Sequence, residues 1–479
     1  MPLILGTNSI KDTGFDVANS CRFGVNTYMH KVLGSDNEKD TWTFSLWVKR
    51  GKSGSTQRMM THNGATSGKF FYLRWESNEQ LHFHIGMSDG NFAGFDTTQV
   101  FRDHSAWYHI VCAVDTTQGT EANRVKIYVN GSQVTAFGTA NYPAQNTTAS
   151  IGRTDTPMVV GALYGSGFGI TSGSPQEFYD GYLAEVCFID DSQLAADSFG
   201  EFDSDSGIWK PKDVSGLTFG TDGFYLDFED SGNLGNDANG GTDLTEVNLA
   251  ATDQSTDTCT NNFAVLNPLI HGANYTFSEG NLQFAQSATN WDTAYSSIAV
   301  TKGKWYMEFK GKVGAYYDIG VTDVVDPTNN LTVNSGCVAY KSNGEFARAG
   351  AVGDGLPSTV TDPASNTYTA DDIMGIAIDV DNEAVYFSKN GTYEVNSDPT
   401  SGASKTGAVT LPNSGSTYFF AFAAYKGGAA SGTGQVNFGG GSVDAISSGN
   451  TDADGHGNFE YAVPSGYFSL CTKNLAEYG

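Results

Sequence analysis

The chain has 479 residues, of which 13% are aromatic and only 16% charged, and it contains 58 glycines. This composition favours many short strands joined by glycine-rich turns, and it excludes helical bundles and disordered chains. The 53 acidic and 26 basic residues give a net charge of −27. Because such a surface repels phosphate groups, we expect neither nucleic acid nor anionic membranes as partners.

The ends and the cysteines carry little targeting information. Segment 1–19 has no basic region followed by a cleavage site, so we expect synthesis in a cytoplasm without a signal peptide. No apolar window is long enough to insert into a membrane. The six cysteines are scattered, with neither a CxxC pair nor the spacing of a zinc site.

Strand patterns begin at about Ser20. The segment Thr41–Arg50 (TWTFSLWVKR) alternates apolar and polar residues, as half-buried strands do. A second strand, Arg124–Gly131 (RVKIYVNG), ends in Asn130-Gly131, a pair that tolerates the positive φ angles of a tight hairpin turn. Apolar residues at helical spacing predict one short helix over Ser192–Phe202.

Five motifs in order, TWTFSLWVKRG, WYHIVCAVD, RVKIYVNG, SIGR and FYDGYLAEVCFID, resemble the laminin-G-like, concanavalin A-like lectin/glucanase fold. The resemblance covers about Ser20–Asp191 and is closest to versions in tailed-bacteriophage virion proteins. In those proteins a glycine- and asparagine-rich connector follows, and Gly232–Leu269 is similar to it. We therefore assign 1–19 to an N-terminal attachment segment, 20–206 to a first sandwich and 207–272 to a connector.

The second half repeats the strand pattern. Asp371–Gly391 (DDIMGIAIDVDNEAVYFSKNG) contains two alternating strands and ends in another Asn-Gly turn. With the strands in Gly303–Val313, Tyr317–Asp323 and Thr417–Gly427, it resembles a SPRY-type domain, which we place at 273–479. The expected fold is all-β, with two antiparallel jelly-roll-like sandwiches, concanavalin A-like and then SPRY-like, joined by a long irregular connector.

Carboxylate patterns give no support for catalysis. Retaining glycosidases of the concanavalin A-like fold carry Glu-x-Asp-x-x-Glu or Glu-x-Asp-x-Glu on one strand, because the acid and the nucleophile must face one groove. No stretch within Ser20–Asp191 fits. The nearest, LDFED, puts Asp227 and Glu229 on one face of a predicted strand beyond the sandwich, where a solvated strand is favoured. We therefore expect no catalytic residues.

Metal-ligating residues are equally sparse. In LHFHI, His82 and His84 share a strand face but lack a third ligand at useful spacing, which favours a solvated or interfacial face over a metal site. Asp89 and Asp103 offer oxygen ligands for calcium, which laminin-G-like domains often bind, but turn formation explains these residues equally well. We expect no cofactor, with Ca²⁺ as the one ion compatible with these loops.

Two aromatic residues are candidate ligand-binding residues. In VGAYYDIGV the parity of the strand directs Tyr316 away from the core, and Trp291 lies in the loop-like sequence ATNWDTAY. Both rings can stack on a sugar, and equally both can cover a core or a subunit contact.

The resemblance implies a phage virion structural protein on the particle surface, tail fibre-like or capsid-decorating, that recognises host-surface glycans without catalysis. Its expected partners are other virion proteins, in the capsid or tail, and those glycans, and we expect a homo-oligomer such as a trimer. No heptad or fibrous repeat predicts a long shaft. Two alternatives stay open: a secreted polysaccharide hydrolase with a carbohydrate-binding module, and a capsid cement without a ligand.

Overall fold

The computed structural model describes residues 12–34, 38–63, 70–151, 157–164, 175–313, 315–348, 359–360, 366–427 and 431–479. Most of the predicted N-terminal attachment segment, residues 1–11, lies outside them. Two compact units are present, a first unit over Thr13–Thr260 and a second over Asn261–Gly479. Strands dominate both units, so the all-β prediction is confirmed. Among the described helices, none has the length and apolar character needed to cross a membrane.

The first unit is a sandwich of two eight-stranded sheets. Its strands are β1 (Ser20–Phe23), β2 (Tyr28–Lys31), β3 (Thr41–Arg50), β4 (Gln57–Asn63), β5 (Phe70–Trp75), β6 (Gln80–Gly86), β7 (Phe92–Val100), β8 (Trp107–Asp115), β9 (Val125–Val129), β10 (Ser132–Gln133), β11 (Phe137–Asn141), β12 (Met158–Val160), β13 (Gly181–Asp190), β14 (Gly200–Phe202), β15 (Trp209–Pro211), β16 (Phe224–Leu226), β17 (Thr245–Val247) and β18 (Gln254–Ser255). One sheet runs β10-β9-β8-β3-β13-β1-β18 with β16 also on β13, and the other β11-β7-β6-β5-β4-β12-β2-β17. A separate antiparallel pair joins β14 to β15.

The core of the first unit is aromatic. The buried rings of Trp42 and Phe44 on β3 meet Phe71 and Phe83 on the opposite sheet, with ring centroids 4.9 to 5.8 Å apart. Burial of each such side chain contributes about 1.5–3 kcal/mol. Along β6, Leu81, Phe83 and Ile85 point into this core. The intervening residues of β6 therefore lie on the outer face of the sheet.

The connector predicted at 207–272 is largely part of the first unit. β16 pairs with β13, β17 with β2 and β18 with β1, all antiparallel. The boundary between the units falls after Thr260 rather than within an extended linker. The pairing segments are only two or three residues long, which is why the sequence shows no periodic strand pattern there.

The helix predicted at Ser192–Phe202 is wrong. That segment contains only the 3₁₀ turn Ala196–Ser198, and β14 begins at Gly200. Phe199 and Ala196 are buried against a small apolar cluster, so tertiary packing rather than helical propensity fixes this stretch. Other 3₁₀ turns lie at Glu121–Asn123, Ala251–Asp253, Leu331–Val333, Glu394–Asn396 and Pro399–Ser404.

The second unit is also a sandwich. Its elements are β19 (Leu266–His271), β20 (Tyr275–Ser278), β21 (Gln283–Gln286), β22 (Asp292–Val300), β23 (Lys304–Val313), β24 (Ala315–Thr322), β25 (Cys337–Lys341), β26 (Phe346–Arg348), β27 (Thr359–Val360), β28 (Ile373–Asp379), β29 (Ala384–Lys389), β30 (Thr392–Tyr393), β31 (Val409–Thr410), β32 (Tyr418–Lys426), β33 (Gly432–Asn437), β34 (Phe468–Ser469) and the helix α1 (Thr472–Tyr478). One sheet runs β19-β22-β32-β24-β25-β26-β27 and the other β20-β21-β33-β23-β28-β29-β30, with β31 on β29 and β34 on β23.

Two predicted hairpin turns are confirmed. Asn130 and Gly131 have φ angles of 46° and 77°, and Asn390 and Gly391 have 49° and 79°, the left-handed pair that a two-residue hairpin needs. At Gly131 a Cβ atom would lie 2.3 Å from the Trp209 ring, so a side chain is excluded there on two grounds.

Candidate functional site

Three aromatic side chains form a row on the second unit, which we call the aromatic platform: Trp291, Tyr425 and Tyr316. The ring centroids of Trp291 and Tyr425 are 5.7 Å apart, and those of Tyr425 and Tyr316 are 6.2 Å apart. Tyr316 is 58% exposed, the third-highest value among the exposed large hydrophobic side chains of the described residues, after Val25 and Val333. Trp291 and Tyr425 are half-buried, and Tyr316 is the exposed end of the row.

Strand register builds the platform. Tyr316 on β24 pairs directly with Tyr425 on β32, and Trp291 precedes Asp292, which pairs with Ala424 on the other side of β32. Tyr317 points into the core, so the alternation that placed Tyr316 on the outer face is confirmed. The structure therefore brings the two predicted residues together through Tyr425. Tyr425 could not be singled out from the sequence, because its role depends on the register between two distant strands.

The chain around Trp291 is fixed by hydrogen bonds to a buried carboxylate. Asp292 Oδ2 accepts hydrogen bonds from Asn274 Nδ2 at 2.7 Å and from Gln286 Nε2 at 3.3 Å, while Asn290 Nδ2 donates to Oδ1 at 3.3 Å. Asp292 is only 3% exposed. Because these bonds hold the backbone beside it, Trp291 is positioned before any ligand arrives, which lowers the ordering cost of binding.

A covering loop, residues 325–334, lies over the outer face of the same sheet. Thr293 donates from its backbone N–H to Pro327 O and from its hydroxyl to Asn329 O, at 3.0 and 2.7 Å. Asp318 lies on β24 two residues from Tyr316 and is almost fully buried. Burial raises the pKa of Asp318 to about 6, although the side chains of Asn330 and Thr332 oppose the rise as hydrogen-bond donors.

A cluster of polar side chains lies on the first unit, on the outer face of β5–β7. We call it the histidine cluster: His82, His84 and Asp96. His84 Nε2 is 2.7 Å and His82 Nδ1 is 3.1 Å from the same atom, Asp96 Oδ1. The other nitrogen of His84 is hydrogen-bonded to the hydroxyl of Tyr72 at 2.8 Å. Asp96 is the third member of the cluster, and the spacing of residues in the sequence did not reveal it.

Charged neighbours surround the histidine cluster. Arg74 forms an ion pair with Glu76 at 2.6 Å, and the guanidinium groups of Arg74 and Arg58 lie 4.5 and 4.3 Å from the centroid of the Tyr72 ring. Burial lowers the pKa of both histidines, and the two arginines reinforce this for His84. The neutral imidazole is therefore the favoured form of each.

The two aspartates considered for calcium serve their own loops. Asp89 accepts hydrogen bonds from the backbone N–H and the side chain of Asn91, both at 3.0 Å. Asp103 Oδ1 accepts from the backbone N–H and hydroxyl of Ser105, at 2.9 and 2.6 Å. Both arrangements are those of turn-forming aspartates.

The face predicted for Asp227 and Glu229 does not exist. Strand β16 ends at Leu226 and Phe228 has a φ of 59°, so the chain turns, and the Glu229 N–H donates to Asp227 Oδ1 at 3.0 Å. The perturbed carboxyl nearby is Glu185, only 6% exposed, which accepts a hydrogen bond from the Tyr225 hydroxyl at 2.7 Å. Burial raises the pKa of Glu185 to about 8.

Comparison with known families identifies the first sandwich. Residues 24–195 match the family model described as the concanavalin A-like lectin/glucanases superfamily. The concanavalin A-like prediction for this segment is confirmed. The match covers the strands that carry the histidine cluster and ends before the second unit begins. No curated protein matches the chain by sequence.

Three solved structures are similar to parts of the chain. The SPRY domain of human HERC1 is 11% identical, covering 38% of this chain and 99% of the domain at a TM-score of 0.28. A heptameric SAP-like pentraxin from Limulus polyphemus is 15% identical, covering 38% and 80%, at 0.27. A Bacteroides ovatus protein described as carbohydrate binding is 15% identical, covering 48% and 58%, at 0.32. At such low values the similarities carry no functional inference.

Proposed function

We propose that this protein binds glycans, without catalysis, through the aromatic platform. The observation that carries the proposal is the row of three rings, in which the exposed Tyr316 continues the half-buried Tyr425 and Trp291. Sugar rings present C–H faces that gain hydrophobic burial against aromatic faces, while their hydroxyl groups stay hydrated or find polar partners at the rim. Exposed aromatic clusters of this kind are characteristic of interaction sites rather than of ordinary surface.

The polar groups next to the platform fit the same ligand class. Lys341 pairs with Asp318 in strand register and its Nζ lies 2.8 Å from Glu345. This ion pair supplies a donor and acceptors at the register position of Asp318, two residues along β24 from Tyr316. Orientation of a sugar by a few such groups around an apolar surface is how small-molecule sites gain specificity.

The biological setting that we propose is the surface of a phage particle, as a tail fibre-like or capsid-decorating protein that recognises host-surface glycans. Its support is the resemblance of the motifs in Ser20–Asp191 to those of tailed-phage virion proteins. A single stacking site binds weakly, and a homo-oligomer such as a trimer would raise the apparent affinity by displaying several sites together. Other virion proteins are the proposed docking partners.

A glycan array probed with the purified full chain tests the proposal. We expect binding to a defined set of bacterial surface glycans, and a loss of at least about tenfold in affinity for Tyr316→Ala and for Trp291→Ala, since each removes one ring of the platform. Phe202→Ala is the matched control, because Phe202 is 54% exposed but belongs to the first unit. Equal binding by all three variants would overturn the platform as the site.

Two further measurements distinguish a host-binding protein of the tail from a capsid-decorating protein. Immunogold labelling or cryo-EM of intact particles, with host-cell binding measured alongside, places the protein at the tail, on the head or off the particle. Saturable cell binding supports the adhesive function, whereas head density without cell binding favours a capsid cement. Release of reducing ends from the bound polysaccharide would contradict the proposed lack of catalysis.

A further inference from the structure

We infer that the histidine cluster is a binding site for a divalent transition-metal ion, with His82, His84 and Asp96 as its ligands. One ligand atom from each residue lies within 4.8 Å of the other two. A tetrahedral zinc ion bound by nitrogen and oxygen holds its ligand atoms about 3.3 Å apart. The measured separations of 2.7 and 3.1 Å between Asp96 Oδ1 and the two ring nitrogens need only a small opening to admit the ion.

The bonding state of His82 points to a missing partner. Neither ring nitrogen of His82 has a hydrogen-bond partner among the described residues, and the geometry toward Asp96 is close but not that of a hydrogen bond. The side chain is only 12% exposed. A buried polar group without a partner is costly, and a bound ion is one of the few ways in which a folded protein satisfies it. Coordination at Nδ1 would do so.

The surroundings orient the ligands as a metal site requires. Ligating histidines usually use their second nitrogen in a hydrogen bond that fixes the ring, and His84 Nδ1 has such a bond to the Tyr72 hydroxyl. The guanidinium groups of Arg58 and Arg74 in turn contact the Tyr72 ring, 4.3 and 4.5 Å from its centroid. Opposite His84 on β7 is Gly94, where a Cβ atom would lie 3.2 Å from the imidazole, so this glycine leaves room for the ring.

The chemistry of the ligands selects the class of metal. Two imidazoles with one carboxylate suit Zn²⁺, Fe²⁺, Ni²⁺ or Cu²⁺ and disfavour calcium, which takes six to eight oxygen ligands. Three protein ligands leave at least one position for water or an exogenous donor. The ion would also link β6 to β7 across the sheet.

The test is a titration of the metal-free, tag-free full chain with Zn²⁺ alone. Isothermal titration calorimetry measures the binding, and thermal unfolding measures the effect on stability. We expect one zinc ion per chain and a rise in melting temperature. His82→Asn and Asp96→Asn should each weaken the affinity by at least about tenfold and abolish the thermal shift. His30→Asn is the matched control, because His30 lies on β2 of the same sheet and should leave both unchanged.

Substitution of Co²⁺ for zinc identifies the ligands directly. A cobalt spectrum with visible d–d bands and no thiolate charge-transfer band supports histidine and carboxylate ligation. A thiolate band would assign the metal to one of the six cysteines instead and overturn the inference. So would the absence of zinc binding at millimolar concentration, or binding that His82→Asn and Asp96→Asn leave unchanged in correctly folded protein.

Discussion

The histidine cluster and the aromatic platform are both outer faces of β-sheets, yet they are built on opposite plans. In the histidine cluster the polar groups converge: Asp96 Oδ1 is approached by two imidazoles, and two guanidinium groups contact the Tyr72 ring. In the aromatic platform the rings touch only along a row, and Tyr316 remains 58% exposed. The first surface is organised around a point and the second along a line.

This difference teaches how each surface can recognise a ligand. Convergent lone pairs at one point match a compact ion, whose binding energy comes from a few short bonds. A row of apolar faces matches an extended ligand, whose binding energy grows with the area covered. The two surfaces should also differ in how much they contribute to the free energy of unfolding. Removal of one group from the histidine cluster leaves a buried polar partner without its hydrogen bond, whereas removal of an exposed ring leaves no polar group unpaired.

The largest effect on stability is expected from Asp96→Ala. This change removes the carboxylate that is hydrogen-bonded to His84 Nε2 and should lower the free energy of unfolding of the first unit by about 2 kcal/mol. Hydrogen exchange of peptides from β6 and β7 gives the local value. Asp89→Ala is the control, since Asp89 lies in an exposed turn, and an equal loss for both variants would show that the cluster has no special role.

An intermediate effect is expected from pH, with opposite signs in the two regions. The lowered pKa values of His82 and His84 stabilise the fold above their ordinary value of 6.5, and this contribution is lost as the pH falls through the folded values. Asp318, raised from 3.8 to about 6, contributes stability that is complete below pH 3.8 and lost as the pH rises through 6.

Variants isolate these two contributions. Relative to wild type, Asp318→Asn should gain stability as the pH rises from about 4 to about 7, and His82→Asn/His84→Asn should gain as the pH falls below about 6.5. Urea unfolding at each pH supplies the differences. If the difference in unfolding free energy from wild type changed with pH in the same direction for both variants, the assigned pKa shifts would be contradicted.

The smallest effect is expected from Tyr316→Ala on stability. Because the side chain is 58% exposed, its removal should change the free energy of unfolding by no more than about 0.5 kcal/mol. Urea unfolding of the second unit checks this value. A loss several times larger would mean that Tyr316 supports the fold rather than a ligand, and would weaken the platform as a binding site even if glycan affinity also fell.

Local patterns in the sequence were sufficient for the strands, the Asn-Gly turns and the outward direction of Tyr316, because each depends on neighbours along the chain. They were insufficient for Asp96 and Tyr425. His82 meets Asp96 only after a register shift between β6 and β7, and Tyr425 meets Tyr316 only through the pairing of β24 with β32. Neither register is written in the spacing of residues within one strand.

The failed strand face at Asp227 and Glu229 has a local cause of another kind. The apolar-acidic alternation of LDFED is genuine, but Phe228 adopts a left-handed conformation that aromatic residues rarely take, while its ring is buried in the core. Packing of that ring therefore outweighs the backbone preference. A periodicity rule has no means of anticipating this outcome.

The short strands β17 and β18 have a practical consequence for dissection of the chain. Each occupies the outermost position of one sheet of the first unit, next to β2 and β1 respectively. A fragment that stopped at residue 206, where the sequence alone suggests that the sandwich ends, would leave the N–H and C=O groups of both inner strands open to pairing with other molecules. Such a fragment should aggregate. A fragment that continues through Thr260 keeps β17 paired with β2 and β18 paired with β1.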